Sequence, residues 1–204
     1  MARLICVTDE FRFFMGGDYM ADSAITKKAL AASLKKLMQE KAFEKISIND
    51  ICNGCNLNRK SFYYHFKDKY DLVNWIFDTE FIEFAQKKDY KDVEKAFADV
   101  CQFFYKDRAF YRKALSIKGQ NSFSDHFRER LFSVILEQLQ DILQKNAIKE
   151  FQATFFADAF VMAFQRWILE YTEMLPEDFS EQIRICIKYL VVRYDEKDGK
   201  AKEV

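Results

Sequence analysis

The chain has 204 residues, no net charge, and an apolar half. That balance supports a sizeable core, excludes wholesale disorder, and argues against a protein that coats nucleic acid by bulk positive charge. One proline and five glycines are too few turn residues for a β-rich or doubly wound fold, so the expected class is all-α, with helices joined by short polar links.

The charge is unevenly spread. Residues 20–75 hold ten Lys/Arg against six Asp/Glu, a net of +4, and the stretches on either side are each net negative. A modest basic module attached to a neutral body is the distribution expected of a local DNA reader. The five cysteines are scattered and odd in number, so they read as reduced thiols in a cytosol rather than as a disulfide framework. No apolar run reaches the ~18 residues of a membrane span. Leu4–Val7 is too short for the apolar part of a signal peptide, and the expected location is cytoplasmic.

Residues 1–19 carry short apolar pieces and Gly16-Gly17. They are either a real N-terminal arm or a leader preceding a start at Met20, and the helix-like run that opens at Met20 favours the second. From Thr26 to Lys41 the apolar positions Leu30, Leu34, Leu37 and Met38 make a helical stripe. Ser47 can cap a short second helix, with Asp50 three residues on. Asn58 is a suitable cap for a third helix, Arg59 to His65, and the turn between the two short helices gives a helix-turn-helix outline.

A longer helix follows over about 67–87, with Val73, Phe77, Phe81 and Phe84 on one stripe. Further helices are predicted over 91–106, 108–117, 123–145, 150–174 and 177–194, with Ser122 and Pro176 marking two starts. The resulting division is a leader (1–19), a DNA-binding unit (20–71), a helical regulatory and dimerisation body (72–194) and a charged tail (195–204).

The segment from Ala42 to Cys52, continued by Asn58-Arg59-Lys60-Ser61-Phe62-Tyr63-Tyr64-His65-Phe66-Lys67-Asp68-Lys69-Tyr70-Asp71-Leu72, resembles the signature of the tetracycline-repressor (TetR) family. The likeness covers about 47 residues, Ile25 to Asp71, and beyond them the chain is compatible in length and helicity only. It implies a dimeric regulator that binds double-stranded operator DNA, more often as a repressor, and responds to an effector held by its body. The continuation Asp71–Phe77 also resembles the subgroup that includes dihydroxyacetone-kinase operon regulators. There a protein partner carries the ligand, so the alternative is an activator under a protein co-regulator.

The residues themselves point the same way. Phe62 and Phe66 lie four apart and can pack inward, which turns Arg59, Lys60, Tyr63 and Tyr64 outward. Arg or Lys at a helix start can donate to guanine in a major groove. Ser61, Tyr63, Tyr64 and His65 can reach phosphates and set register, with Lys69 beside the same backbone. Ser47 and Asn49, opening the second helix, would face flanking phosphates or base edges. Where relatives often have glycine in the turn this chain has Asn56, and Lys60 stands where glycine or proline is frequent.

Cys52-Asn53-Gly54-Cys55 has the spacing of half a zinc site, but no second pair lies near it and packed thiols are the expectation. No metal, cofactor or catalytic constellation is expected, because two histidines and no phosphate loop offer nothing to run chemistry. In the body, Phe103, Phe104, Phe110, Tyr111, Phe127, Phe160 and Trp167 are candidates for the wall of an effector pocket suited to a small apolar or aromatic molecule, although any one of them is more often plain core. The last two helices carry two apolar stripes each. One stripe holds Phe156, Phe160, Phe164 (or Ala163) and Trp167; the second, Phe155, Ala159 and Met162, with Ile185, Tyr189 and Val192 of the final helix, suits a four-helix interface with a second copy.

Overall fold

The computed structural model describes residues 19–85, 93–119, 122–142 and 148–197. Among them all regular structure is helical. A head is formed by α1 (Tyr19–Glu40), a 3₁₀ turn (Phe43–Lys45), α2 (Ile48–Asn53) and α3 (Arg59–His65). Helix α4 (Lys69–Ala85) leaves the head and enters the body. There it joins α5 (Val93–Lys106), α6 (Arg108–Leu115), α7 (Phe123–Ile142), α8 (Ile148–Leu169) and α9 (Pro176–Lys197). Residues 1–18, nearly all of the expected leader, and 198–204 of the expected tail lie outside the described residues.

The head is held by local chemistry that the residue types dictate. Ser47 Oγ accepts from the Asp50 amide (3.1 Å), and the Asp50 carboxylate accepts in return from the Ser47 amide (2.9 Å), a reciprocal cap on α2. Asn58 Oδ1 accepts from the Ser61 amide at 2.9 Å and starts α3. Between the helices Asn56 sits at φ 55°, the left-handed conformation that asparagine tolerates better than most residues. Phe62 and Phe66 are buried with Leu30, Leu34, Ile51 and Cys52.

Helix α1 approaches α2 at Ser33, whose buried hydroxyl donates to the Ile51 carbonyl (2.7 Å). A Cβ at Gly54 would stand 2.3 Å from that hydroxyl oxygen. The expected result of Gly54→Ala is therefore a loss of about 1–3 kcal/mol from overpacking and the displaced hydrogen bond. Urea unfolding of the variant measures it, and an unchanged midpoint would show that Ser33 has room to turn away.

In the body, α7 packs along α8, α9 packs on α5, and α6 reaches across to α1. Two junctions tie α6 to the head. Lys35 of α1 forms ion pairs with Glu80 of α4 (2.7 Å) and with Asp107, and Lys113 of α6 donates to the Gln39 and Lys41 carbonyls at the end of α1 (both 3.3 Å).

Helix α1 begins at Tyr19, one residue before the helix-like run expected from Met20. Among the boundaries that differ from the sequence expectation, two helix ends fall short. Helix α6 stops at Leu115, short of 117. Helix α8 stops at Leu169, not 174, and its end is held by residues distant in sequence. The Arg108 guanidinium donates to the Trp167 (3.1 Å), Tyr171 (3.1 Å) and Thr172 (2.6 Å) carbonyls, and Arg112 donates to Leu169 (3.3 Å).

The seven aromatic residues expected around an effector pocket pack against other rings of the body. Phe104 lies 4.6 Å from Tyr111 and 5.0 Å from Phe127 between ring centroids, Phe103 is 5.7 Å from Tyr111, and Phe110 is 5.2 Å from it. Trp167 stacks on Phe179 at 4.4 Å, and Phe160 packs on Phe97 at 5.6 Å. Phe110 also borders a cavity of about 60 Å³ with Lys35, Met38 and Asp107, far below the size of a small-molecule pocket. The Tyr111 hydroxyl is buried in this cluster and has no hydrogen-bond partner among the described residues.

Candidate nucleic-acid interface

Helix α3 presents one buried and one exposed face. Phe62 and Phe66 hold it to the head, and Phe66 packs edge-on against Trp75 of α4 at 5.6 Å. The opposite side carries Arg59, Lys60, Tyr63 and Tyr64, all exposed, with Tyr64 82% accessible. An aromatic ring left that open beside two cations is uncommon on a helix that only faces water. Arg59 is partly ordered along this face: its guanidinium donates to the Tyr63 hydroxyl (3.2 Å) and lies 5.7 Å from the ring.

Ser61 donates its hydroxyl to Asn58 Oδ1 (3.2 Å), so it supports the cap as well as the outer surface. Ser47 and Asn49 are exposed at the start of α2, and Ser47 uses its oxygen as the cap's acceptor. Asp50 is drawn into this cap and also meets Lys41 at 3.1 Å. The Ser47 amide, first, and the Lys41 ammonium hold its carboxyl down to about 2. Because the folded pKa is depressed, the cap's contribution is complete above the free-carboxyl range and is lost as pH falls towards 2. Asp50→Asn should therefore flatten the acid limb of the stability curve between about pH 4 and pH 2, as circular dichroism during acid titration would record. An unaltered acid limb would mean that the cap does not hold in solution.

Lys69 departs from expectation. Its ammonium is turned inward, donating to the carbonyls of Phe43 (2.8 Å), Ile46 (2.9 Å) and Glu44 (3.3 Å) and standing 4.4 Å over the Phe43 ring. An ammonium has three protons to donate, and three carbonyls take them. Burial pushes its pKa down against the pull of Glu44. The 3₁₀ turn brings these carbonyls within reach of one cation; the Phe43 carbonyl also accepts from the Ile46 amide (3.0 Å) and uses its second lone pair for Lys69. In this structure Lys69 ties the 3₁₀ turn to the first turn of α4.

The sequence reading missed Thr26 and Lys27. Both belong to α1, and Thr26 borders, with Leu57, Asn58, Lys60, Ser61, Tyr64 and His65, an open cleft of about 300 Å³ beside α3. Lys27 lies behind it, about 6 Å from the Phe66 and Trp75 rings. The run Thr26-Lys27-Lys28 was the available signal, but residues at the start of a long amphipathic helix carry no mark of the distant helix they will face.

Cys52 is buried and Cys55 half-buried; Cys55 donates to the Ile51 carbonyl at 3.4 Å. Burial pushes both thiols up, which keeps them protonated and poor ligands. Among the described residues no three His, Cys, Asp or Glu side chains are grouped to hold a metal ion. No described helix is long and apolar enough to cross a membrane.

A capped three-helix head with a cationic, aromatic outer helix is a helix-turn-helix unit, here fused to a helical body. Residues 30–76 match the model of bacterial regulatory proteins of the tetR family, and residues 91–189 match that of a transcriptional regulator C-terminal region of the same family. The chain belongs to the TetR family.

It is 30% identical over 123 residues to the HTH-type dhaKLM operon transcriptional activator DhaS of Lactococcus lactis, a match covering 60% of this chain and 62% of that protein, less than two thirds of its length. In structure it resembles the dihydroxyacetone kinase operon activator DhaS, with a TM-score of 0.61 and 22% identity, over 83% of this chain and 98% of the other. It likewise resembles a TetR regulator from Streptococcus agalactiae 2603V, with a TM-score of 0.60 and 21% identity, over 81% and 96% of the two chains.

Proposed function

We propose that this protein is a sequence-specific DNA-binding transcription regulator that reads its operator with α3, as a homodimer. The observation that carries the reading is the outer face of α3, where Arg59, Lys60, Tyr63 and Tyr64 stand exposed while Phe62 and Phe66 fix the helix to the head. Arg59 and Lys60 supply base-edge contacts, and Tyr63, Tyr64, His65, Ser61, Ser47 and Asn49 supply phosphate contacts. Dimerisation is supported by an apolar face left open on the last two helices: Phe155 (56% exposed), Met162 (51%) and Ile185 (36%), with Ala159 beside them. The side chains of Tyr189 and Val192, expected in the same interface, lie outside those described.

A second reading concerns control. The filled aromatic core and the likeness to an operon activator support an activator governed by a protein co-regulator over a repressor released by a small molecule. Repeated selection from a duplex pool with a randomised centre tests the main reading. The expected product is a two-fold symmetric motif with half-sites about one helical turn, or a multiple of it, apart. Failure to enrich any sequence would overturn it. Light scattering at micromolar concentration tests the dimer: a species of 24.3 kDa, the mass of one chain, would refute it.

A further inference from the structure

We propose that the cleft between α1 and α3 seats a backbone phosphate of bound DNA, and that seating it places one proton on His65. This rests on the DNA-binding reading above and goes beyond it by naming a subsite and a linked protonation. Two hydroxyls on short side chains (Thr26, Ser61), a phenol (Tyr64), an amide (Asn58), an ammonium (Lys60) and an imidazole (His65) border the cleft, and no carboxylate does. The phenol, the side-chain amide and the imidazole can each donate to a phosphate oxygen, Lys60 adds positive charge beside them, and Ser61 keeps its proton on Asn58 Oδ1.

The charges around His65 make its protonation conditional. The titratable neighbours are Lys27 from α1 and Lys60 and Tyr64 from its own helix, with Tyr64 meeting it edge-on at 4.9 Å between ring centroids. The turn before α3 adds only the uncharged Leu57 and Asn58, and α4 closes this corner with Trp75 against Phe66. Burial first, and then the Lys27 ammonium, hold the His65 pKa below its ordinary value, so the free protein carries it neutral at pH 7.

A phosphate in the cleft reverses the second influence, since its negative charge favours the imidazolium and offers an acceptor to it. The bound state then has the higher His65 pKa. Between the free and bound values the complex holds more protons than its parts, so affinity rises as pH falls, with a slope of up to one proton per head.

The chain contains only two histidines, so each imidazole can be followed separately by proton NMR. The second, His126, pairs with Asp78 at 2.9 Å between α7 and α4 and serves as an internal control. The probe is a 30-base-pair duplex of arbitrary sequence at low salt, because phosphate contacts do not need an operator. The expected result is an upward move of the His65 midpoint on adding duplex, with His126 unmoved. The dissociation constant on the same duplex should fall several-fold from pH 8 to pH 5.5 for the natural chain and stay level for His65→Gln. Duplex binding with an unmoved His65 midpoint, or a His65→Gln variant that keeps the pH dependence, would overturn the inference and leave the DNA-binding reading standing. No duplex binding at any pH would overturn both.

Discussion

Lys69→Met is expected to destabilise the protein by about 3 kcal/mol, the cost of stripping a charged donor from three backbone carbonyls on the partly buried side of the head. Methionine keeps most of the side chain's length and apolar contact, so the change isolates the ammonium. The carbonyls of Phe43, Glu44 and Ile46 lose the cation that joins the 3₁₀ turn to the first turn of α4. Phe43 also packs on Tyr70 at 5.1 Å, next to Lys69 in α4, so the turn and α4 are joined by a second contact. Denaturant unfolding gives the stability difference. DNA affinity, measured well below the unfolding midpoint as a function of salt, separates the two roles. A brace lowers stability and leaves the salt slope intact; a phosphate contact leaves stability alone and reduces the slope by about one. The second pattern would restore Lys69 to the DNA surface.

What could be read before folding follows the range of the interactions concerned. The caps at Ser47 and Asn58, and the inward spacing of Phe62 and Phe66, are set by residues three or four apart, and their types state the geometry. Ser122 and Pro176 announce helix starts for the same reason. The end of α8 could not be read, because it depends on Arg108 and Arg112, about 60 residues earlier in the chain. Lys69 shows the same limit within the head. A lysine that follows a recognition helix has the same local pattern whether it faces a phosphate or a set of backbone carbonyls, and the 3₁₀ turn, some 25 residues back, supplies those carbonyls here. Periodicity marks Phe104, Tyr111, Phe127 and Trp167 as inward-facing, but whether inward rings meet one another or enclose a void depends on how closely α5, α6, α7 and α8 approach.

Arg59→Ala is expected to reduce discrimination between the selected operator and scrambled duplex by about 10- to 100-fold, the 1–3 kcal/mol carried by a bidentate contact to guanine. The loss should fall at one position of each half-site, because the side chain starts α3 and its reach along the groove is short. Folding should be unaffected. Arg59 is exposed, and its partner on the helix is Tyr63, itself half exposed. Tyr63 provides the comparison. Tyr63→Phe keeps the ring beneath the guanidinium but removes the hydroxyl that accepts from it at 3.2 Å. If that bond orients Arg59 towards a base, the phenylalanine variant loses discrimination at the same position, by less than the alanine variant does. If Tyr63 instead holds a phosphate, the phenylalanine variant weakens operator and scrambled duplex alike. Affinity measured for both variants on both duplexes at two salt concentrations separates these outcomes. Full discrimination retained by Arg59→Ala would remove Arg59 as a base-reading residue, and the same measurement on Lys60→Ala would then decide whether α3 is the reading element.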